Sequence, residues 1–146
     1  MREITHIVIH CSSTPAIMDI GREQIREWHL ERGWLDIGYH WVVRRSGVLE
    51  MGRDLDGDGY VMEEVGAHVS GHNQHSLCVC WVGGYAGIDN RTDAQKTTMA
   101  SLVMLLKEVF PKAKILGHRD FPGVAKLCPS FEVSSWLTEL KKNHER

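Results

Sequence analysis

The sequence predicts a single α/β domain over residues 1–146, in which helices pack on a central mixed β-sheet of about five strands. Strand-like and helix-like segments alternate along the chain in the order β, α, β, β, β, α, β, α. A chain of 146 residues is also long enough to bury one core without disulfides. Since no repeat or low-complexity segment interrupts the sequence, one domain accounts for all of it.

The chain begins with a predicted strand and a predicted helix. Residues 4–11 (ITHIVIHC) are mostly β-branched and apolar, which is typical of a buried strand, and His10 lies at its end. We expect Asp19 to cap a helix over residues 22–32, where apolar side chains recur at helical spacing. Gly33 then ends this helix.

The middle of the chain is predicted to form a hairpin, a loop and a central strand. Residues 40–45 and 48–51 flank a Ser-Gly pair, which indicates a β-hairpin. A loop rich in Gly, Asp and His follows over residues 53–75. Residues 76–82 (SLCVCWV) are almost continuously apolar, as expected for a strand that is covered on both faces.

Two further helices and a short strand complete the predicted fold. Thr92 and Gln95 form a capping box for a helix that continues to Phe110. This helix should bury one apolar stripe, consisting of Met99, Leu102, Val103, Leu106, Val109 and Phe110. Residues 114–116 form a short strand, and residues 132–143 form the last helix.

Charge and composition argue against several classes of partner. Lysine and arginine total 17 against 19 acidic residues, and no basic stretch is long enough to follow a phosphate backbone, so nucleic acid is not expected as the main partner. The first residues contain neither a signal peptide nor a membrane span. We therefore expect a protein that is made and kept in the cytosol, without a membrane partner, and whose four cysteines are reduced.

Three potential metal ligands fall at comparable places in the predicted fold. His10 ends the first strand, His118 follows the last short strand, and Cys128 lies about ten residues later. Two imidazoles and a thiolate suit zinc, and three protein ligands leave a position for water, as in catalytic zinc sites. Their spacing alone leaves a second interpretation open, in which two histidines and a buried thiol never meet.

The residues around Cys128 suggest a reason for its position. Because Pro129 favours extended backbone at the residue before it, Lys126 and Cys128 are expected to project to the same side. The lysine charge would then favour the thiolate form of the cysteine. The alternative interpretation is that Cys128 is a small buried hydrophobe and Lys126 a solvated charge.

Five segments read together resemble the zinc-dependent N-acetylmuramoyl-L-alanine amidases of the phage-lysozyme type, a family that also resembles peptidoglycan recognition proteins. The segments are HCSST from His10, GWLDIGYHWVVRRSG, GAHVSGHNQHS with CVCWVGG, GHRDFPG, and KLCPSF. They occur in the family's order and cover the chain from about Ile7 to Trp136.

The resemblance implies a role for each matching residue. His10, His118 and Cys128 match the family's ligands for one catalytic Zn²⁺ ion, Tyr39 matches its catalytic tyrosine, and Lys126 matches its catalytic lysine. The implied activity is hydrolysis of the amide between N-acetylmuramic acid and L-alanine in peptidoglycan. The competing function is that of a peptidoglycan-binding module that holds its ligand without cutting it.

Further expectations concern substrate, assembly and location. His68 and Asn73 match positions that line the substrate groove in relatives, and Trp41 is a candidate for sugar contact because it lies near Tyr39. We expect a monomer that acts on the cell wall after its release. A zinc-stabilised protein-interaction domain is a third possibility, and it predicts that the protein needs zinc to fold.

The segment DLDGDGYVMEEV, residues 54–65, partly matches a calcium-binding loop. Asp54, Asp56 and Asp58 stand at positions 1, 3 and 5, but Val65 occupies position 12, where an EF-hand needs a bidentate glutamate. A turn with solvated aspartates is therefore favoured over a calcium site.

Overall fold

The computed structural model describes residues 2–124 and 126–144, and it confirms the predicted α/β fold class. The strands are β1 (His6–Cys11), β2 (Trp41–Val43), β3 (Leu49–Met51), β4 (Ser76–Trp81) and β5 (Lys114–Gly117). The helices are α1 (Arg22–Glu31), α2 (Asp93–Val109) and α3 (Val133–His144). The five strands form one mixed sheet in the order β3-β2-β4-β1-β5.

The sheet has a parallel centre and one antiparallel edge. Strand β1 pairs in parallel with β4 and with β5, β2 pairs in parallel with β4, and β3 pairs antiparallel to β2. As predicted from its continuous apolar run, β4 is central, and each of its six residues is buried. Because β1, β4 and β5 run in one direction, their carboxyl ends meet at the same edge of the sheet.

Helices cover both faces of this sheet. On one face, Met99, Leu102, Val103 and Leu106 of α2 belong to a core cluster with β1, β2 and β4, and Trp136 and Leu137 of α3 pack against it. On the other face, Ile25 of α1 packs in a cluster with Val42 of β2 and Cys80 of β4. The sheet is therefore the middle layer of three.

The N-terminus of α2 forms as predicted. The Thr92 hydroxyl accepts the backbone N–H of Gln95, and the side chain of Gln95 accepts the backbone N–H of Thr92, each at 3.0 Å. The expected apolar stripe is wrong at one position, because Val109 is 50% exposed at the end of the helix. The last turn of α2 therefore faces solvent at this residue.

The predicted cap of α1 is wrong. The helix begins after Gly21 rather than at a cap provided by Asp19. Its first N–H, that of Arg22, donates to Oε1 of Glu50 at 2.9 Å. An acceptor from the neighbouring hairpin therefore replaces the local cap that the sequence suggested.

The segment over residues 54–65 forms a loop closed by its own aspartates. Oδ2 of Asp54 accepts the N–H of Gly59 at 2.9 Å, and Oδ1 of Asp58 accepts the N–H of Tyr60 at 2.9 Å. Carboxylate oxygens of Asp54, Asp56 and Glu64 lie within 4.8 Å of one another. The turn role of the aspartates agrees with the interpretation favoured from the sequence, and a group of acids alone does not define a cation site.

None of the helices in residues 2–124 and 126–144 combines the length and the apolar character that crossing a bilayer requires. The four cysteines are free thiols.

Candidate active site

The structure brings His10, His118 and Cys128 together at the carboxyl edge of the sheet. One potential ligand atom from each residue lies within 4.8 Å of the other two. His10 is the fifth residue of β1, His118 opens a 3₁₀ turn directly after β5, and Cys128 follows in a loop. The interpretation in which the three residues never meet is therefore wrong.

The chain around Cys128 turns at residues 127–130 and does not continue straight as an extended segment. The N–H of Ser130 donates to the carbonyl of Leu127 at 2.8 Å, and the peptide bond between Cys128 and Pro129 is cis. Two tertiary contacts hold this turn: the N–H of Cys11 donates to Sγ of Cys128 at 3.1 Å, and the N–H of Arg119 donates to the Cys128 carbonyl at 2.9 Å. The thiol is thereby fixed between the ends of β1 and β5.

The environment of the three residues sets their protonation. Burial, followed by the neighbouring imidazoles and Lys126, holds the pKa of His10 well below its ordinary value. Burial and Lys126 also lower the pKa of His118. Both rings are therefore neutral at pH 7, which is the form that binds metal.

The expectation that Lys126 favours the Cys128 thiolate is wrong for the metal-free protein. Hydrogen bonding to the Cys11 side chain and burial raise the pKa of Cys128. A thiol in this position loses its proton when it binds a metal cation, so the raised pKa makes metal binding dependent on pH without preventing it.

An open cavity of about 540 Å³ lies over the three residues. Tyr39, His68, Asn73 and Lys126 all line it, so the residues that the family resemblance assigned to catalysis and substrate binding reach the same cavity as the three potential ligands. Lys126 is exposed at its rim. Another cavity, of about 560 Å³, lies at the start of α1 and the hairpin, away from the histidine and cysteine side chains.

Tyr39 lies beside His10, with ring centroids 5.2 Å apart. Burial raises its pKa well above the ordinary value, so the side chain is a phenol at neutral pH and can donate a proton. Its position depends on Gly38, where an added Cβ would stand 2.1 Å from the carbonyl oxygen of Ala67. The GYH sequence therefore needs glycine because two backbone segments touch there.

His68 and Asn73 are joined to each other in the cavity wall. Oδ1 of Asn73 accepts the backbone N–H groups of His68 and Val69, each at 3.0 Å. The Nδ1 atom of His68 lies 3.0 Å from Nε2 of His10. Both residues therefore have defined structural partners in addition to the groove position that the sequence suggested.

The expected role of Trp41 is wrong. Its side chain is 7% exposed and packs in the core cluster below α2. Trp34 and Arg32 line the cavity instead, and the Arg32 guanidinium carbon lies 5.6 Å from the centroid of the Trp34 ring. The sequence contained a signal for the burial of Trp41, because it begins the continuous apolar run WVV, which is typical of a strand that is covered on both faces.

A second group of potential ligands shares His10 but is less suited to metal. Ligand atoms of His10, His68 and Cys78 also lie within 4.8 Å of one another. Cys78, however, is 0% exposed inside the sheet, and burial raises the pKa of its thiol. The group with His118 and Cys128 opens onto the cavity, and its two neutral imidazoles and one thiol fit a zinc ion.

Comparison with known proteins agrees with this geometry. A family model described as N-acetylmuramoyl-L-alanine amidase matches residues 1–131. The endolysin of Klebsiella phage KP32 is 42% identical over 139 residues, covering 92% of this chain and 86% of the endolysin.

Solved structures share the fold. N-acetylmuramoyl-L-alanine amidase LysC from Clostridium intestinale superposes with a TM-score of 0.76 at 24% identity, covering 96% of this chain and 87% of LysC. A point mutant of Drosophila PGRP-LB, in complex with tracheal cytotoxin, superposes with a TM-score of 0.74 at 23% identity, covering 93% of this chain and 83% of the PGRP-LB chain. The family model covers residues 1–131, and the chain is 42% identical to a phage endolysin, so the chain belongs to the N-acetylmuramoyl-L-alanine amidase family.

Proposed function

We propose that this protein hydrolyses the amide bond between N-acetylmuramic acid and L-alanine in bacterial peptidoglycan, with one Zn²⁺ ion held by His10, His118 and Cys128. The observation that carries the proposal is the convergence of these three residues in a cavity that Tyr39 and Lys126 also line. Membership of the amidase family supports the same substrate.

The chemistry divides between the ion and the protein. When bound, zinc lowers the pKa of water and polarises a carbonyl group. The ligand set of two neutral imidazoles and one thiolate reduces the charge of the centre to about +1, by the charges of the ligand types. Additional positive potential from the protein is then useful where negative charge develops on the substrate.

Lys126 and Tyr39 supply the remaining groups. The ammonium of Lys126, at the rim of the cavity, stabilises the oxyanion that forms on the carbonyl oxygen of the scissile amide. The phenol of Tyr39, beside His10, orients the attacking water or passes a proton toward the leaving amine. His68 and Asn73 line the wall along which the substrate lies.

The relative from phage KP32 is an endolysin, which supports a role in cell-wall lysis. We propose that this chain acts in the same way, on the wall and after release from the cell interior. A monomer is sufficient, since each proposed site residue comes from one chain.

Hydrolysis of purified peptidoglycan tests the proposal. We expect new L-alanine amino termini, identified by mass, that vanish with a zinc chelator and return when zinc is added. Cys128→Ala should lose both bound zinc and activity. The matched control, Cys80→Ala, changes a cysteine inside the sheet that is not a proposed ligand, and it should keep bound zinc.

Two outcomes would contradict the proposal. Stoichiometric zinc without cleavage, across walls of differing stem peptide, would identify a recognition module. Cleavage by Cys128→Ala with zinc still bound would show that the ligand assignment is wrong.

A further inference from the structure

A chain of hydrogen bonds leads from the start of β4 to His10. The hydroxyl of Ser76 lies 2.7 Å from the carbonyl oxygen of His72 and 2.9 Å from Nε2 of His68. A carbonyl oxygen can only accept, so the single hydroxyl proton of Ser76 goes to His72. The Ser76 oxygen must then accept from His68, which places a proton on Nε2 of His68.

This assignment determines the protonation of the next ring. A neutral imidazole that carries its proton on Nε2 has its acceptor at Nδ1. Nδ1 of His68 lies 3.0 Å from Nε2 of His10, so His10 donates from Nε2. The lone pair of His10 is therefore on Nδ1, which lies 3.8 Å from Sγ of Cys128, on the side of the proposed ligands.

The opposite arrangement needs a charged ring. If His68 donated from both nitrogens, it would be an imidazolium, and His10 would carry its proton on Nδ1. Among the described residues, the cavity that His68 lines contains the cationic side chains of Arg32 and Lys126 and no carboxylate, so no negative charge lies there to stabilise an imidazolium. The neutral arrangement is favoured for this reason.

The backbone holds His68 in place for this role. Asn73 accepts the N–H groups of His68 and Val69, and Ser76 is fully buried at the first position of β4. The orientation of the His68 ring is thus fixed by a loop contact on one side and by the sheet on the other.

We propose that His68 is a positioning residue, which holds His10 in the tautomer that presents Nδ1 to zinc. The inference rests on the proposed zinc site, and it gives His68 a role distinct from substrate contact. Ligating histidines commonly donate their second ring N–H to such a partner, and loss of the partner typically weakens metal binding about 10–100-fold.

The first test is ¹⁵N NMR of the histidine rings in the metal-free and the zinc-loaded protein. We expect His10 and His68 to carry their protons on Nε2 in both forms. A proton on Nδ1 of His10 would overturn the inference, as would coordination of zinc by His68 itself. Because the metal-free spectrum does not depend on zinc, this arm decides the tautomer even if the proposed function fails.

The second test is zinc affinity, measured by competition with a chelator in a set of variants. We expect His68→Leu to bind zinc about 10–100-fold more weakly. His68→Asn should recover most of this loss, because an amide oxygen can replace the Nδ1 acceptor. Ser76→Ala should weaken binding as well, since it removes the acceptor that fixes His68.

Ser70→Ala is the matched control, because Ser70 is an exposed serine of the same loop and also lines the cavity. Its zinc affinity should equal that of the wild type. Wild-type affinity in both His68→Leu and Ser76→Ala would overturn the inference while leaving the proposed function intact. Absence of zinc from the wild-type protein would instead contradict the proposed function.

Discussion

His29 connects the protonation of a buried side chain to the position of Tyr39. Its Nδ1 atom accepts the N–H of Gly38 at 2.9 Å, directly before Tyr39 in the chain. Burial, with smaller contributions from Arg32 and Arg53, lowers the pKa of His29 to about 4. Protonation of Nδ1 would leave the N–H of Gly38 without its acceptor, so acid should loosen this part of the site.

The first prediction concerns the pH dependence of stability at His29. An unfolded histidine has a pKa of about 6.5, so the unfolded chain binds more protons than the folded chain between that value and about 4. The free energy of unfolding should therefore fall as pH decreases from about 6.5 to about 4. In His29→Asn, whose amide oxygen can accept from Gly38 without titrating, this decrease should be smaller.

Denaturant unfolding of both proteins at several pH values measures the effect. Equal pH dependence in wild type and His29→Asn would show that His29 is not a source of acid sensitivity.

The second prediction concerns Lys126 and activity. Lys126→Met keeps the length of the side chain and removes its charge, so stabilisation of the oxyanion should be lost. We expect kcat to fall about 10²–10³-fold, as for loss of one oxyanion donor. Zinc content should not change, because Lys126 is an exposed residue at the cavity rim rather than a ligand.

Kinetics and metal analysis of the same preparations test the assignment of Lys126. Lys126→Arg is the matched variant, since it restores the positive charge, and it should recover part of kcat. Full activity in Lys126→Met would contradict the proposed role of the lysine.

At the scale of elements, Gln95 joins helix α2 to two strands of the sheet. Its Nε2 atom donates to the carbonyls of Val43 at 3.2 Å and Val82 at 2.9 Å, and Oε1 accepts from Arg45 at 3.1 Å. The side chain is fully buried. Gln95 is therefore both a member of the capping box and the polar contact between the helix and the carboxyl ends of β2 and β4.

The third prediction follows from these contacts. Gln95→Leu keeps the volume but removes four hydrogen bonds of a buried side chain, and it takes the Oε1 acceptor away from the Thr92 N–H and the Arg45 guanidinium. It should therefore reduce the free energy of unfolding by about 2–4 kcal/mol. Lys96→Leu, at the next, exposed position of α2, should change it by less than about 0.5 kcal/mol. Chemical denaturation measures both, and equal effects would show that the buried contacts of Gln95 contribute little.

Elements governed by local patterns could be predicted from the sequence, and elements governed by distant partners could not. The apolar run of β4 and the Thr92–Gln95 capping box are local signals, and both appear in the structure. The start of α1 depends on Glu50, which lies 28 positions away from Arg22, so the nearby Asp19 was misleading. The turn at Cys128 depends similarly on the N–H of Cys11, across 117 positions.

The same distinction applies to the site. The family resemblance located the five residues proposed for metal binding and catalysis, because motifs preserve residue type and order. It provided no information on the bond between His68 and His10 or on the Ser76 contact behind it, since these depend on ring orientation in the folded protein. Trp34 belongs to the segment GWLDIGYHWVVRRSG, but its position in the cavity wall depends on the path of the backbone and could not be predicted from the motif.

At the scale of the whole molecule, the proposed zinc site lies on a core that is already complete. The ligands come from positions 10, 118 and 128, and they meet where three parts of the chain reach one edge of the sheet. Large side chains on both faces of that sheet are fully buried without any contribution from the site, including Trp81, Ile37 and Met99. Zinc should therefore stabilise a fold that forms without it.

The fourth prediction is the effect of zinc removal on thermal unfolding. With free zinc at 100 times its dissociation constant, binding stabilises the folded state by about 2.7 kcal/mol. For a chain of this size, removal by a chelator should lower Tm by about 5–10 °C. Far-UV circular dichroism below the transition should not change, because the helices and strands persist in the metal-free protein.

Melting curves with and without chelator, with zinc added back as the control, distinguish two kinds of zinc protein. A metal-free protein that still unfolds in one cooperative transition indicates a site built on a stable scaffold, as a hydrolase needs when its ion has to keep a position open for water. Loss of secondary structure on chelation would instead indicate a domain that zinc folds. That result would favour the interpretation as a zinc-stabilised protein-interaction domain, because the ion would then provide the stability that we attribute to the hydrophobic core.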